Sequence, residues 1–158
     1  MDFTPLLAQH GLYPTVFAVC VISGFVPAVN AEIFLLIVMS TVQDAPPLSV
    51  ALAATCGQMT AKSLIYATGR GLVRLPLRSL GNRLQKVHDG MTHHKAGVFA
   101  LMFVSALTGL PPYYVVSFAA GLLETPFLPF FGAGFTGRLI RFSIFAAFPE
   151  LVRHLAAQ

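Results

Sequence analysis

Charge is what this sequence has least of. Only 10% of its 158 residues are Asp, Glu, Lys or Arg, while 56% are apolar and the mean hydropathy is +0.74. Soluble domains carry roughly 25% charged residues, so an ordinary water-solvated surface is excluded and a single integral membrane domain is expected. Cysteine is nearly absent too. Cys20 and Cys56 lie in separate apolar blocks, which excludes a disulfide framework and suits two small hydrophobes. The chain contains no G-x-S-x-G, no H-E-x-x-H and no phosphate-cradling glycine loop, so no enzyme chemistry is visible. His88, His93 and His94 are close in sequence, but adjacent histidines do not share a helical face and no cysteine or second carboxylate joins them. Neither a metal site nor a cofactor is expected. Residues 1 to 11 hold Asp2 and no Lys or Arg. The basic n-region of a signal peptide is therefore missing, although Val29-Asn30-Ala31 has the form of a cleavage site.

What is there falls into apolar blocks. Residues 12–42 are interrupted at Pro27 and Asn30, 48–68 are continuous, 96–123 are interrupted at Pro111-Pro112, and 127–149 are continuous. At 1.5 Å per residue the two continuous blocks are long enough as helices for a ~30 Å hydrocarbon core. The halves of the interrupted blocks are not. Proline lacks an N–H, crowds the preceding turn and turns the residue before it away from helix, so each interruption should end one helix and begin another. Unpaired backbone cannot face lipid, and a re-entrant helical hairpin shields such a break. The predicted architecture is all-α and polytopic, with hairpin 1 at 12–42, a transmembrane helix at 48–68, a basic amphipathic loop at 69–95, hairpin 2 at 96–123 and a transmembrane helix at 127–149. One hairpin plus one span carries the chain across once, so the two halves form inverted repeats. Six helices, or kinked full spans without a repeat, are the competing arrangement.

The loop holds Arg70, Arg74, Arg78, Arg83, Lys86 and Lys95 against Asp89 alone, interleaved with leucines. It reads as a cytoplasmic segment lying on anionic headgroups, with a plain solvated loop as the alternative. Nucleic acid is not an expected partner, because these bases flank membrane blocks.

Four residues sit where charge is costly. Glu32 follows the first break and opens an apolar helix, where it either caps the helix or senses a proton or headgroup. Arg138 and Arg141, three apart, share one face midway along the last block, with Gly132, Gly134 and Gly137 before them. They point to Glu32, to carbonyls freed at the breaks, or to a lipid phosphate gripped bidentately. Lys62 lies late in the second block and is within snorkelling reach of its end.

Four stretches in order, FVPAVNAEIFLL, GQMTAKSLIYATGRGL, GLPPYYVVSFAAGLL and GRLIRF, make residues 24 to 142 resemble the DedA family, also called the VTT-domain or SNARE-associated membrane proteins. The resemblance implies two facing re-entrant hairpins in a multi-pass protein of the bacterial inner membrane. It implies movement or scrambling of phospholipids or polyprenyl-phosphate carriers, often proton-linked, in support of membrane homeostasis. Glu32 becomes the first-hairpin acid, with Arg138, Arg141 and Lys62 as further candidates for substrate or proton binding, and Tyr66, Gly69, Gly121 and Gly137 as packing positions. The chain departs from the pattern in two places. Lys62 stands where many members have an Asp four residues before the tyrosine, and the arginines that flank the second-hairpin proline in many bacterial members are absent around Pro111-Pro112. A small-solute or ion carrier, a non-transporting scaffold and a homo-oligomer all remain compatible with the residues.

The inverted repeat makes a topological prediction. Single cysteines introduced near Asp2 and near Gln158 should label from outside the cell, and one near Asn82 only from the cytoplasm. Termini that label from opposite sides would rule the repeat out.

Overall fold

The structure, a computed structural model, describes residues 11–26, 29–42, 45–73 and 95–156. Pro27, most of the basic loop and the histidines at 88, 93 and 94 lie outside the described residues. Every regular element among the described residues is a helix: α1 (Leu12–Phe25), α2 (Ala31–Thr41), α3 (Pro47–Val73), α4 (Lys95–Thr108), α5 (Tyr113–Leu122) and α6 (Phe127–Ala156).

The short helices hold little charge with which to mark an outer face, and in α1 side-chain size marks it instead. In α1 the buried positions are Thr15, Val16, Val19, Cys20, Ser23 and Gly24, a four-residue spacing of mostly small side chains, while Phe17, Ile22 and Phe25 are exposed. In α2 the same period buries Ala31, Phe34, Leu35, Val38 and Met39. In α5 it buries Tyr113, Val116, Ser117, Ala120 and Gly121. Helix α1 packs on α2, and α4 on α5.

Two compact units result: residues up to Ala61 together with those from Arg138 onward, and Lys62–Gly137. They are not consecutive halves of the chain, since α3 and α6 each contribute one end to either unit. In the first unit Val16, Cys20, Leu35, Val38, Val50, Ala54 and Phe142 belong to one core drawn from α1, α2, α3 and α6. In the second, Phe130 is fully buried between Tyr66, at 4.8 Å between ring centroids, and Tyr113, at 6.0 Å.

Two helix ends differ from the sequence reading. Helix α3 runs on through Gly69-Arg70-Gly71 to Val73 rather than yielding to a loop at 69. A Cβ at Gly69 would strike the Phe118 carbonyl oxygen, and one at Gly121 the Tyr66 carbonyl oxygen. This reciprocal approach of α3 and α5 holds the last turns of α3 against a neighbour. Helix α6 passes through Pro149 to Ala156; an internal proline removes one backbone hydrogen bond, which packing elsewhere along a 30-residue helix offsets. Beyond α5, Glu124 takes φ 50°, with Thr125 N–H donating to Ala120 O at 3.0 Å and Glu124 N–H to Gly121 O at 3.1 Å. These are the two bonds of a Schellman cap, with glutamate in the position that glycine usually fills.

Among the described residues no helix is long and apolar enough to cross a membrane. The two helices with the length, α3 and α6, carry the polar residues Gln58, Thr60, Lys62, Arg138 and Arg141, whereas α1, α2, α4 and α5 have 10 to 14 residues.

The glycine contacts predict a contrast. Gly69→Val and Gly121→Val should each destabilise the purified protein by about 1–3 kcal/mol through overpacking. Gly132→Ala, which meets nothing within 4 Å, should leave the thermal midpoint unchanged or slightly raised. Equal losses at all three positions would show that close helix approach is not the cause.

Candidate polar site in the first unit

The first break positions the acid. Asn30, in extended backbone, caps α2, its Oδ1 accepting from the N–H of Glu32 at 2.9 Å and of Ile33 at 3.3 Å. An Asn in this position satisfies N–H groups that no preceding turn can reach. Asn30 and not Glu32 therefore caps the helix with its side chain, and the Glu32 carboxylate reaches across to α6. There Arg141 Nε donates to Glu32 Oε1 at 2.8 Å, with 21% and 20% of the two side chains exposed. The Arg141 guanidinium also lies 5.9 Å from the centre of the Phe145 ring, one turn on.

Arg138 takes a different partner. It is buried, and its Nη1 donates to Oε1 of Gln58 on α3. The Gln58 Nε2 donates in turn to Ser23 Oγ on α1 at 2.9 Å. Cys20 is buried on the same face of α1. The first unit thus holds two short polar chains, Asn30–Glu32–Arg141 and Ser23–Gln58–Arg138, which start on the first helix pair and end one turn apart on α6.

The remaining candidates lie in the second unit. Lys62 is 5% exposed, so it does not snorkel to a surface; its Nζ lies 5.9 Å from the centre of the Tyr114 ring, at the start of α5. Pro111 and Pro112 occupy the break between α4 and α5. Gly109 begins that break with φ 82°, a left-handed helix end that glycine adopts without strain. The break's backbone groups are met by side chains of α4: Ser105 Oγ donates to Pro111 O at 2.5 Å, and Thr108 Oγ1 accepts from Leu110 N–H at 3.2 Å. Tyr66 donates to Thr125 O at 2.5 Å and accepts from Arg70 Nη1 at 2.8 Å. A Cβ at Gly137 would lie 2.8 Å from Ala106 Cβ. No cluster of metal-binding side chains occurs among the described residues.

Sequence reasoning singled out neither Gln58 nor Ser23 nor Ser105. Gln58 carried a readable signal, as an uncharged polar residue midway through an otherwise apolar block. Ser23 and Ser105 carried none, since serine readily satisfies its own helix's carbonyls.

The family model of the VTT domain matches residues 13–150. No curated protein and no solved structure matches the chain.

The pairing of Glu32 with Arg141 yields a double-mutant prediction. A hydrogen bond between charged groups that are only partly exposed contributes about 1.5–3 kcal/mol. Glu32→Gln and Arg141→Gln should each lower thermal stability, and the double variant should lose less than their sum. The cycle of Glu32 with Arg138 should couple more weakly, because no hydrogen bond joins those two side chains. Equal coupling in the two cycles, read from thermal midpoints, would contradict the arrangement.

Proposed function

Because the chain belongs to the VTT-domain family, whose members are membrane-associated and linked to membrane transport and homeostasis, we propose that it moves lipids across the bacterial inner membrane. On this reading it is a multi-pass transporter or scramblase of phospholipids or polyprenyl-phosphates and not an enzyme. Each helix pair is a re-entrant hairpin, α3 and α6 are the spans, and the halves are inverted repeats.

The observation that carries the proposal is the distribution of polarity within each unit. Charged and amide side chains lie inside: Gln58 and Arg138 in the first unit, Lys62 in the second. Large apolar side chains lie outside: Ile33, Ile37, Leu48, Ile140, Ile144 and Phe148 in the first, Leu64, Leu101, Leu110 and Leu128 in the second. Water disfavours that arrangement, while a lipid solvent favours it. The same distribution accounts for part of the modest hydropathy of α3 and α6, since Gln58, Lys62 and Arg138 turn inward, while the exposed Thr60, Thr68 and Thr136 each bond their hydroxyl to a carbonyl of their own helix. Helices of 14 and 11 residues in the first pair reach only about 21 and 17 Å, less than the ~30 Å core, as re-entrant segments do.

Arg138 and Arg141 would hold the headgroup phosphate. Glu32, by gaining or losing a proton, would set whether Arg141 is committed to it. Both steps follow from Arg's planar fork and from the cost of leaving a carboxylate unpaired away from water.

Reconstitution into vesicles containing fluorescent phosphatidylglycerol or phosphatidylcholine tests the proposal. The wild type should speed exchange between leaflets. Glu32→Gln and Arg138→Lys should each slow it roughly tenfold, about 1.4 kcal/mol on the barrier, with matched amounts of folded protein. Flux of a small solute without lipid movement would make the protein a carrier of another kind, and neither activity would leave a membrane scaffold.

A further inference from the structure

The two arginines on one face of α6 receive chemically different partners within the first unit. Arg141 meets a carboxylate, and Arg138 meets the amide of Gln58. We infer that Gln58 is the positioning residue for Arg138, and that its neutral amide, where a carboxylate would also fit, adapts this unit to a lipid headgroup whose phosphate charge no ammonium in the same headgroup offsets. The inference rests on the lipid-transport reading above and adds to it a residue with a defined task.

Hydrogen-bond chemistry fixes the orientation of the amide. Arginine offers donors only, so the atom of Gln58 facing Arg138 must be Oε1. Nε2 must then face Ser23, whose Oγ accepts it. Gln58, Ser23 and Arg138 are 5%, 7% and 8% exposed, so water has little access to replace either bond, and a rotated amide would set donor against donor. Ser23 on α1 therefore holds Gln58, and Gln58 sets the direction of the guanidinium.

Shape alone does not require glutamine. A glutamate at 58 would accept from Arg138 with one oxygen and from the Ser23 hydroxyl with the other, since serine donates as readily as it accepts. The difference is charge. A carboxylate in this buried position competes directly with a phosphate for the same guanidinium, because it adds the attraction of an opposite charge to the hydrogen bond, and that attraction is strong where water is excluded. An amide orients the guanidinium and leaves its charge unaltered. Gln58 is thus a residue that a merely structural requirement would allow to vary to glutamate and that anion recognition would not.

The test uses the full-length protein in detergent micelles and in vesicles, with phosphatidylglycerol and phosphatidylcholine as probes. Phosphatidylglycerol should raise the thermal midpoint of the wild type more than phosphatidylcholine does. In Gln58→Glu the lipid-free midpoint should equal or exceed that of the wild type, while the extra rise with phosphatidylglycerol disappears. In vesicles its rate for phosphatidylglycerol relative to phosphatidylcholine should fall at least tenfold. Ser23→Ala keeps all charges and loosens the amide, so it should lose part of the extra rise with no gain in midpoint. A wild type without the extra rise, or a Gln58→Glu variant that keeps it, overturns the inference. Should Gln58→Glu not accumulate, Ser23→Ala decides, and an undiminished rise there overturns it. A wild type that shows the rise but moves no lipid sinks the transport reading and leaves Gln58 in its role; lipid movement with unchanged selectivity in Gln58→Glu does the reverse.

Discussion

Two arginines one turn apart, facing inward on α6, dictate what the rest of the first unit must supply. A guanidinium removed from water needs acceptors in fixed places, because an unmet buried charge costs several kcal/mol. In this unit side chains supply them: Gln58 meets Arg138 and Glu32 meets Arg141, and each of these acceptors is itself held. Glu32 is held by its place in the first turn of α2, which Asn30 caps. Gln58 is held by Ser23. The short first helix pair, the mid-helix glutamine and the Asn30 cap that opens α2 are parts of one solution to this requirement.

The second unit meets a different constraint, unpaired backbone. Its break at 109–112 contains two prolines and a left-handed glycine, which removes two donors and leaves carbonyls exposed to whatever surrounds them. Ser105 and Thr108, from the helix just ended, return to meet these groups, and the Schellman cap around Glu124 closes the other end of α5. Close contacts at Gly69 and Gly121 then let α3 and α5 approach backbone to backbone, where carbonyl oxygens take the place of side-chain volume. Arrangements of this kind stabilise through contact distance more than through apolar area.

Much of this was legible in the residues. Pro111-Pro112 marks a helix break because proline chemistry acts locally, and Glu32, Arg138 and Arg141 stand out because charge is rare in apolar surroundings. Membership of the VTT-domain family was legible in the order of four short stretches. Pairing was not. A spacing of three places both arginines on one face and says nothing of which will meet Glu32, since that depends on how α6 is rotated against α2 and α3. Nor does snorkelling reach tell whether Lys62 will use it; the ring of Tyr114, distant in sequence, lies near the ammonium of a lysine that the fold keeps buried. Helix ends failed for a related reason: Gly69 and Pro149 are local stop signals, and tertiary contacts or helix length outweigh them.

The stack of Tyr66, Phe130 and Tyr113 has a spectroscopic consequence. The chain contains no tryptophan and four tyrosines, so its near-ultraviolet emission comes from tyrosine alone. Tyr66, Tyr113 and Tyr114 belong to the second unit and only Tyr13 to the first. The hydroxyls of Tyr66 and Tyr113 both donate to backbone carbonyls, and a carbonyl acceptor quenches phenol fluorescence. With those two tyrosines quenched, intrinsic emission comes mainly from Tyr13 in the first unit and Tyr114 in the second, so the aromatic stack around Phe130 is dark and following it requires a chromophore introduced beside it.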